Sequence, residues 1–124
     1  MRDEVINEEK FIFEDLRVYH RALQLAVELT KIATKLPHSY SRIRDQLIGA
    51  VISIPLNLAE GSGRLGEKDK KNFYKFSRSS AFELIPIIDI IYQLELINKE
   101  KRNNIRREVV ELSRIISALI KKSS

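Results

Sequence analysis

The chain has 124 residues, of which 44% are hydrophobic and 31% are charged, and this balance is typical of a single soluble globular domain. It contains no cysteine, which excludes disulfides, thiolate chemistry and cysteine-based zinc sites. The formal net charge is +5, and no apolar stretch approaches the roughly 20 residues that cross a membrane. Because the N-terminus also lacks a signal-peptide pattern, we expect a cytoplasmic protein without membrane contact.

The two ends of the chain differ in charge. Residues 1–15 hold six acidic side chains, whereas residues 99–124 hold eight Lys or Arg. Residues 1–12 are predicted to form a flexible N-terminal arm, and residues 13–124 a single domain. The basic end favours nucleic acid or anionic surfaces, but a solubilising helix face has the same pattern.

Four helices are predicted, with no strand pattern. Apolar residues spaced three and four apart place the first helix at about residues 15–36, and Pro37 ends it. The others are predicted at about 41–60, 67–97 and 99–122. Short connections make neighbouring helices antiparallel, so the predicted fold is all-α, an antiparallel up-down-up-down four-helix bundle.

Prolines and a glycine lie at special positions of the second and third helices. Pro55 is predicted to tilt the second helix while its ring fits an apolar contact, and Pro86 to bend or divide the third. Gly61 is predicted to end the second helix in the left-handed conformation that glycine readily adopts.

The letters GSGRLG after the second helix match the dinucleotide-binding pattern G-x-G-x-x-G. That motif requires a preceding strand, and here a helix precedes it, so we interpret the match as fortuitous. Gly61, Gly63 and Arg64 are predicted to form a helix-terminating loop. The alternative is an anion contact at the next helix N-terminus, with Arg64 beside it.

Polar residues interrupt the apolar seams of the second and third helices. They are Gln46, Ser53, Asn57, Glu60, Ser80 and Glu83. Because a buried polar group without a partner costs about 1–3 kcal/mol, we expect these side chains to satisfy one another, with Arg44 or Arg78 as further candidates. The predicted network fixes helix register, and a catalytic pair of Glu60 with Glu83 is the alternative.

The second helix carries no charged residue between Asp45 and Glu60. A helix that is apolar all round is buried on all sides, and in a chain of this length the cover is predicted to be another subunit. We therefore predict a homo-oligomer interface at Ile48, Ile52 and Pro55.

Basic residues cluster near the start of the third helix and along the fourth. The candidate nucleic-acid-binding residues are Arg64, Lys68, Lys71, Lys75, Arg78, Arg102, Arg106, Arg107 and Arg114. Tyr74 lies within the first cluster, and cations beside an aromatic ring suit single-stranded RNA. The alternative is a solvated face with ion pairs such as Arg107–Glu111.

Metal and catalytic motifs are absent from the sequence. A di-iron bundle needs Glu-x-x-His pairs, but Arg17 precedes His20 by three residues and Lys35 precedes His38 by three. There is no Walker loop, nucleophile elbow or Ser-His-Asp pattern. We therefore expect no cofactor, no metal and no enzymatic activity.

Three stretches of the sequence are similar to one known family. They are FEDLRVYHRALQLAVEL, RDQLIGAVISIPLNLAEGSGR and FYKFSRSSAFEL, and with the apolar tail the likeness covers residues 13–120. They resemble the 23S rRNA intervening-sequence proteins, also called the S23 family. The resemblance implies a four-helix bundle that can assemble as a ring-like homopentamer, with no established enzymatic activity. A bundle of similar fold, the accessory protein of diversity-generating retroelements, binds nucleic acid.

Together these patterns predict a non-enzymatic, homo-oligomeric helical bundle that binds RNA or DNA through basic surface patches. The resemblance favours a pentamer. The alternative is a protein-interaction scaffold or adaptor that binds no nucleic acid. A hydrolase using Glu60 and Glu83 is a third hypothesis.

Overall fold

The computed structural model describes residues 11–122. It contains four α-helices: α1 (Arg17–Thr34), α2 (Ser41–Ser62), α3 (Glu67–Gln93) and α4 (Lys99–Lys122). Short 3-10 turns at Ile12–Asp15 and His38–Tyr40 precede α1 and α2, and the described part of the chain contains no strand. The predicted arm lies outside the described residues except for positions 11 and 12.

The helices form an antiparallel four-helix bundle around one core, which confirms the predicted fold class. Each helix packs against the next, α4 returns to α1, and α2 and α3 share the most extensive interface. All four helices supply the largest fully buried side chains, which include Leu29, Leu47, Ile54, Leu58, Leu84, Ile88, Ile91, Ile105, Leu112 and Ile116. The apolar spacing read from the sequence therefore marks the core-facing side of each helix.

Polar contacts tie α1 to α4, the pair with the looser packing. Arg21 donates two hydrogen bonds to the Glu108 carboxylate, at 3.1 Å from Nε and 2.8 Å from a terminal nitrogen. Lys101 lies 3.1 Å from a carboxylate oxygen of Glu28. A forked Arg–carboxylate pair fixes orientation as well as charge, so these contacts set the register of α1 against α4.

The third helix ends four residues earlier than predicted. Glu95 adopts a positive φ of 62°, and the amide of Leu96 donates to the carbonyl of Ile91 at 3.1 Å. This is the left-handed helix ending that glycine usually provides. Because a glutamate occupies the position, the sequence contained no recognisable stop before Asn98.

Pro86 does not divide α3, which is continuous over Glu67–Gln93. Pro86 lies on the exposed side of the helix. The carbonyl of Phe82, which loses its helical amide partner to the proline, is therefore on the side of the helix that water reaches. Pro55, in contrast, lies buried within α2.

Gly61 serves a different purpose from the one predicted. It lies inside α2, which extends to Ser62, and no glycine among the described residues has a positive φ. A Cβ atom at Gly61 would stand 2.8 Å from Cε1 of Tyr74 and 3.1 Å from Cβ of Phe73. The glycine is therefore required because α3 approaches α2 too closely for a side chain, and not because of backbone conformation.

Candidate nucleic-acid interface

Four basic residues line one side of α3. Lys68, Lys71, Lys75 and Arg78 follow one another at steps of three, four and three residues, which places them on one helix face. Lys68 and Lys75 are exposed, and Lys71 and Arg78 are half-buried. Among residues 11–122, none of the four forms an ion pair.

The C-terminal half of α4 lies beside this side of α3. A terminal nitrogen of Arg78 donates to Oγ of Ser117 at 3.4 Å, and the antiparallel arrangement brings Lys121 towards the first turns of α3. Residues 70–82 and 112–122 together contain seven Lys or Arg and no Asp or Glu. We call this surface, formed by Lys68, Lys71, Lys75 and Arg78 of α3 with Arg114 and Lys121 of α4, the basic face.

The other predicted cations of α4 are held within the chain. Arg102 and Arg106 approach the two carboxylate oxygens of Asp89 at 3.2 Å and 3.9 Å. Arg107 hydrogen-bonds to Asn104, so the predicted pair with Glu111 is wrong. Arg114, three residues after Glu111, is the cation that lies 4.0 Å from the Glu111 carboxylate. The fourth helix therefore offers fewer free cations than its sequence indicates.

Arg64 turns away from the basic face. Its guanidinium lies 2.8 Å from the Glu60 carboxylate, four residues before it, and 4.6 Å from the centroid of the Phe73 ring. The first turn of α3 carries Glu67 and Asp69, whose charges already complement the positive end of the helix. The alternative of an anion held by Arg64 at this helix end therefore has no support in the geometry.

The aromatic ring of the basic face is Phe82, and not Tyr74. Tyr74 is only 3% exposed because its ring packs against Gly61, and this burial, followed by the charge of Glu67, raises the pKa of its hydroxyl. Phe82 is 60% exposed, and the Arg78 guanidinium lies 6.0 Å from its ring centroid. Sequence reasoning missed Phe82, although it follows Arg78 by four residues and so continues the same stripe.

Phe82 also lines an open groove between α3 and α4. Apolar side chains form most of the lining: Ile85 from α3, and Val109 and Val110 from α4. Ser113, Arg114 and Ser117 complete it on the α4 side. The groove thus continues the basic face with an apolar surface, and Phe82 lies at the junction of the two.

The predicted polar network forms in part, between α2 and α3. Oγ of Ser53 accepts hydrogen bonds from Ser80 at 2.7 Å and from the Asn57 amide at 2.8 Å, and the same amide donates to the Ser53 carbonyl. Ser77, which sequence reasoning missed, donates from a fully buried Oγ to the carbonyl of Ile54 at 2.9 Å. The bonds from Ser80 and Ser77 cross from α3 to α2 and fix the register of this helix pair, whereas the Asn57 bonds lie within α2 and orient Ser53.

The two glutamates predicted for that network form no hydrogen bond with its other members among the described residues. Glu60 and Glu83 are exposed, and Glu60 pairs with Arg64 on its own helix. Gln46 is also exposed, although with Glu83 it lines the groove that leads to Ser53 and Ser80. Including Glu60 in the network was wrong because its position rotates it towards solvent. The two carboxylates are not brought together as a pair, so the hydrolase hypothesis loses its basis.

Arg44 and Arg78, proposed as further members, do not join the network either. Arg44 lies 4.0 Å from its neighbour Asp45, and Arg78 reaches Ser117 on α4.

The outer face of α2 is apolar, as its composition indicated. Ile52 is 39% exposed and Leu56 is 62% exposed, and nothing lies within 4 Å of a Cβ built at Gly49. Ile48 is half-buried. Pro55 is buried within the chain, so its assignment to an oligomer interface was wrong: it lies about 100° of helix rotation from the exposed Leu56, on the side of Ile52 that turns into the core. We call Gly49, Ile52 and Leu56 the α2 outer face.

Phe76 of α3 extends the α2 outer face. The contacts of Ser80 with Ser53 and of Phe73 with Gly61 set an antiparallel register that places Phe76 opposite Asn57. The Phe76 ring is 56% exposed. Exposed apolar side chains on neighbouring helices are characteristic of interaction surfaces.

Within residues 11–122, no three His, Asp or Glu side chains are grouped as a metal site would require. None of the helices in that range has the length and apolar character to cross a membrane.

Comparison with known proteins identifies a sequence family and a structure of similar fold. The sequence matches the 23S rRNA-intervening sequence protein family over residues 14–118. The fold is similar to the crystal structure of a protein with unknown function from the S23 ribosomal protein family of Bacteroides thetaiotaomicron VPI-5482, with a TM-score of 0.78 and 20% identity. That similarity covers 84% of this chain and 98% of the other. No curated protein matches this sequence.

Proposed function

Because the chain belongs to the 23S rRNA-intervening sequence protein family, we propose that it is a non-enzymatic, homo-oligomeric bundle that binds RNA or DNA through its basic face. Neither the family nor the similar structure indicates an enzymatic activity. The observation that carries the proposal is the row of α3 cations without ion-pair partners among the described residues.

The chemistry of the basic face favours phosphate contact over base readout. Lysine side chains present compact, mobile point charges, which attract phosphates but do not discriminate bases. Acidic side chains lie only at the margins of the basic face, where Glu67 and Asp69 flank Lys68 and Glu111 is 4.0 Å from Arg114, and residues 70–82 contain none. Binding should therefore depend steeply on salt and weakly on sequence.

The α2 outer face supports self-association. Exposed apolar side chains on α2 and Phe76 on α3 form a patch that water solvates poorly, and a second copy of the chain would cover it. No element-to-element contact links α2 with α4, so the α2 outer face lies on a different side of the bundle from the α4 part of the basic face. An oligomer would therefore repeat the basic face and multiply weak contacts into avidity. The resemblance to ring-forming relatives favours a pentamer.

The binding test uses a labelled single-stranded RNA of about 30 nucleotides and its DNA counterpart, followed by fluorescence anisotropy over a series of salt concentrations. For about 4 phosphate contacts on a single strand, log K against log [salt] should have a slope near −3. A variant with Lys68→Glu, Lys71→Glu and Lys75→Glu should lose most of this slope and bind much more weakly.

The matched control reverses the same number of positive charges away from α3. Its substitutions are Arg17→Glu and Lys31→Glu on α1 and Lys35→Glu directly after α1, all at exposed positions without a described ion pair. This variant has the same net charge as the first, so it should bind more tightly than the first if position matters. Equal losses in the two variants would show that only net charge matters. Absence of wild-type binding at about 100 µM protein and low salt would refute the proposal.

The assembly test is sedimentation equilibrium at micromolar concentration. Ile52→Glu should shift the protein towards its 14.4 kDa monomer, because association would bury an unpaired charge. Val27→Glu is the control, since Val27 is 50% exposed on a different helix, α1. A wild-type protein that is entirely monomeric would refute self-association.

The second candidate function is a protein-interaction scaffold, and the exposed apolar patch on α2 and α3 is the observation that favours it. If the protein assembles through Ile52 but binds neither RNA nor DNA, it would be assigned to this class.

A further inference from the structure

We propose that the basic face selects single-stranded over duplex nucleic acid by stacking a base on Phe82. This inference rests on the proposed function, and it adds the class of nucleic acid and the residue that recognises it.

The first support is the exposure of the ring. Phe82 is 60% exposed although Ile85 and Val110 beside it offer apolar surface. Its face is approached by the Arg78 guanidinium at 6.0 Å from the centroid. A ring beside a guanidinium is a surface on which bases stack, because every base has an apolar π face.

The second support is the position of the ring relative to the cations. Phe82 lies one helical turn beyond Arg78, at the end of a stripe that begins about 21 Å away at Lys68, given a rise of 1.5 Å per residue. Arg114 lies across the groove on α4. A strand whose phosphates follow the stripe would therefore bring a base to Phe82.

The third support is that a duplex lacks bases whose faces are free for stacking. In a duplex the bases are stacked on one another inside the helix, so a side chain on a convex helical surface meets phosphates and sugars. Phosphate contacts to Lys71 and Lys75 are available to both kinds of nucleic acid, but the Phe82 contact requires an unstacked base. The selectivity should therefore depend on Phe82 and not on the cations.

The charges of the groove favour nucleic acid over an apolar peptide as its occupant. Arg78 and Arg114 flank the apolar lining, and Glu111 is the nearest acid to Arg114. A further copy of this chain would have to bring acidic side chains to this site, whereas the α2 outer face offers none between Asp45 and Glu60.

The experiment compares Phe82→Ala with Phe76→Ala. Both rings are exposed and both lie on α3, but Phe76 faces the α2 side. On a single-stranded RNA, Phe82→Ala should weaken binding by about 5- to 100-fold, the range for loss of one stacked base, whereas Phe76→Ala should not. On a duplex of equal length, neither substitution should change the affinity. Phe82→Tyr should bind single strands about as tightly as the wild type because it keeps an aromatic ring at this position.

The salt slope provides a second measurement. Phe82→Ala removes no charge, so its slope on single-stranded RNA should equal that of the wild type while the affinity falls. Circular dichroism and urea denaturation of each variant confirm that the fold is retained.

The outcomes separate this inference from the proposed function. If the wild type binds nucleic acid and Phe82→Ala binds single strands as tightly as the wild type, stacking is refuted and the basic face stands. If Phe82→Ala weakens self-association without changing nucleic-acid affinity, the groove is a contact between subunits and the inference is refuted. If the wild type binds no nucleic acid, both fall together.

Discussion

Replacing Gly61 by alanine should destabilise the bundle, although the same change usually stabilises a helix. The new Cβ would lie 2.8 Å and 2.9 Å from two ring carbons of Tyr74 and 3.1 Å from Cβ of Phe73. Non-bonded carbons pack at about 3.5–4.0 Å, so α3 must move or the ring must shift. Tyr74 is 3% exposed, and neighbouring core side chains leave its ring little room to yield.

Two opposing effects set the magnitude. Forcing an additional methyl into a packed interface costs about 1–3 kcal/mol. Alanine gains up to about 1 kcal/mol over glycine in a helix interior, and less near a helix end such as this. The net expectation for Gly61→Ala is a loss of about 1–2 kcal/mol of unfolding free energy.

Gly49 provides the matched control on the same helix. A Cβ built there meets nothing within 4 Å, so Gly49→Ala should stabilise the protein by about 0.5–1 kcal/mol. Urea denaturation of both variants at one protein concentration gives the comparison. In a Tyr74→Leu background, which removes the ring, Gly61→Ala should cost less, and the cycle measures their coupling. A Gly61→Ala variant as stable as Gly49→Ala would refute the close approach of α3.

Three further predictions concern polar side chains. Ser77→Ala should cost about 1 kcal/mol through loss of its buried bond to the Ile54 carbonyl, and the exposed Ser79→Ala should cost less than about 0.5 kcal/mol; equal urea midpoints would contradict this. Glu83→Ala should change stability by no more than about 0.5 kcal/mol because Glu83 is exposed, and a larger loss would return it to the network. The pKa of Tyr74 is raised in the folded protein, so folding favours the neutral hydroxyl. The resulting contribution to the free energy of unfolding is complete below about pH 10 and is lost as the pH rises through the folded-state pKa. Tyr74→Phe should therefore flatten the alkaline decline in denaturation midpoint, and an unchanged decline would exclude Tyr74 as its cause.

Local pattern was sufficient to predict the architecture. Apolar spacing within each helix, Pro37 after the first and short connections between the rest are properties of neighbouring residues, so they predicted four antiparallel helices. The same reasoning predicted an apolar α2 that needs a cover. It also located Ser53 and Ser80, which meet because seam positions on adjacent helices face each other, and Asn57, which lies one turn beyond Ser53 on the same helix.

The candidate surfaces required the packed structure, because they depend on how far each helix is rotated and on what lies across from it. One residue is about 100° of helix rotation, so Tyr74 is buried while its neighbour Lys75 is exposed. Arg102 and Arg106 share the single carboxylate of Asp89, which lies on another helix. The reason for Gly61 is likewise a ring on another helix. A sequence pattern specifies which side of a helix is apolar. Whether a cation is paired or a ring is exposed depends on the side chains of other helices that pack beside it.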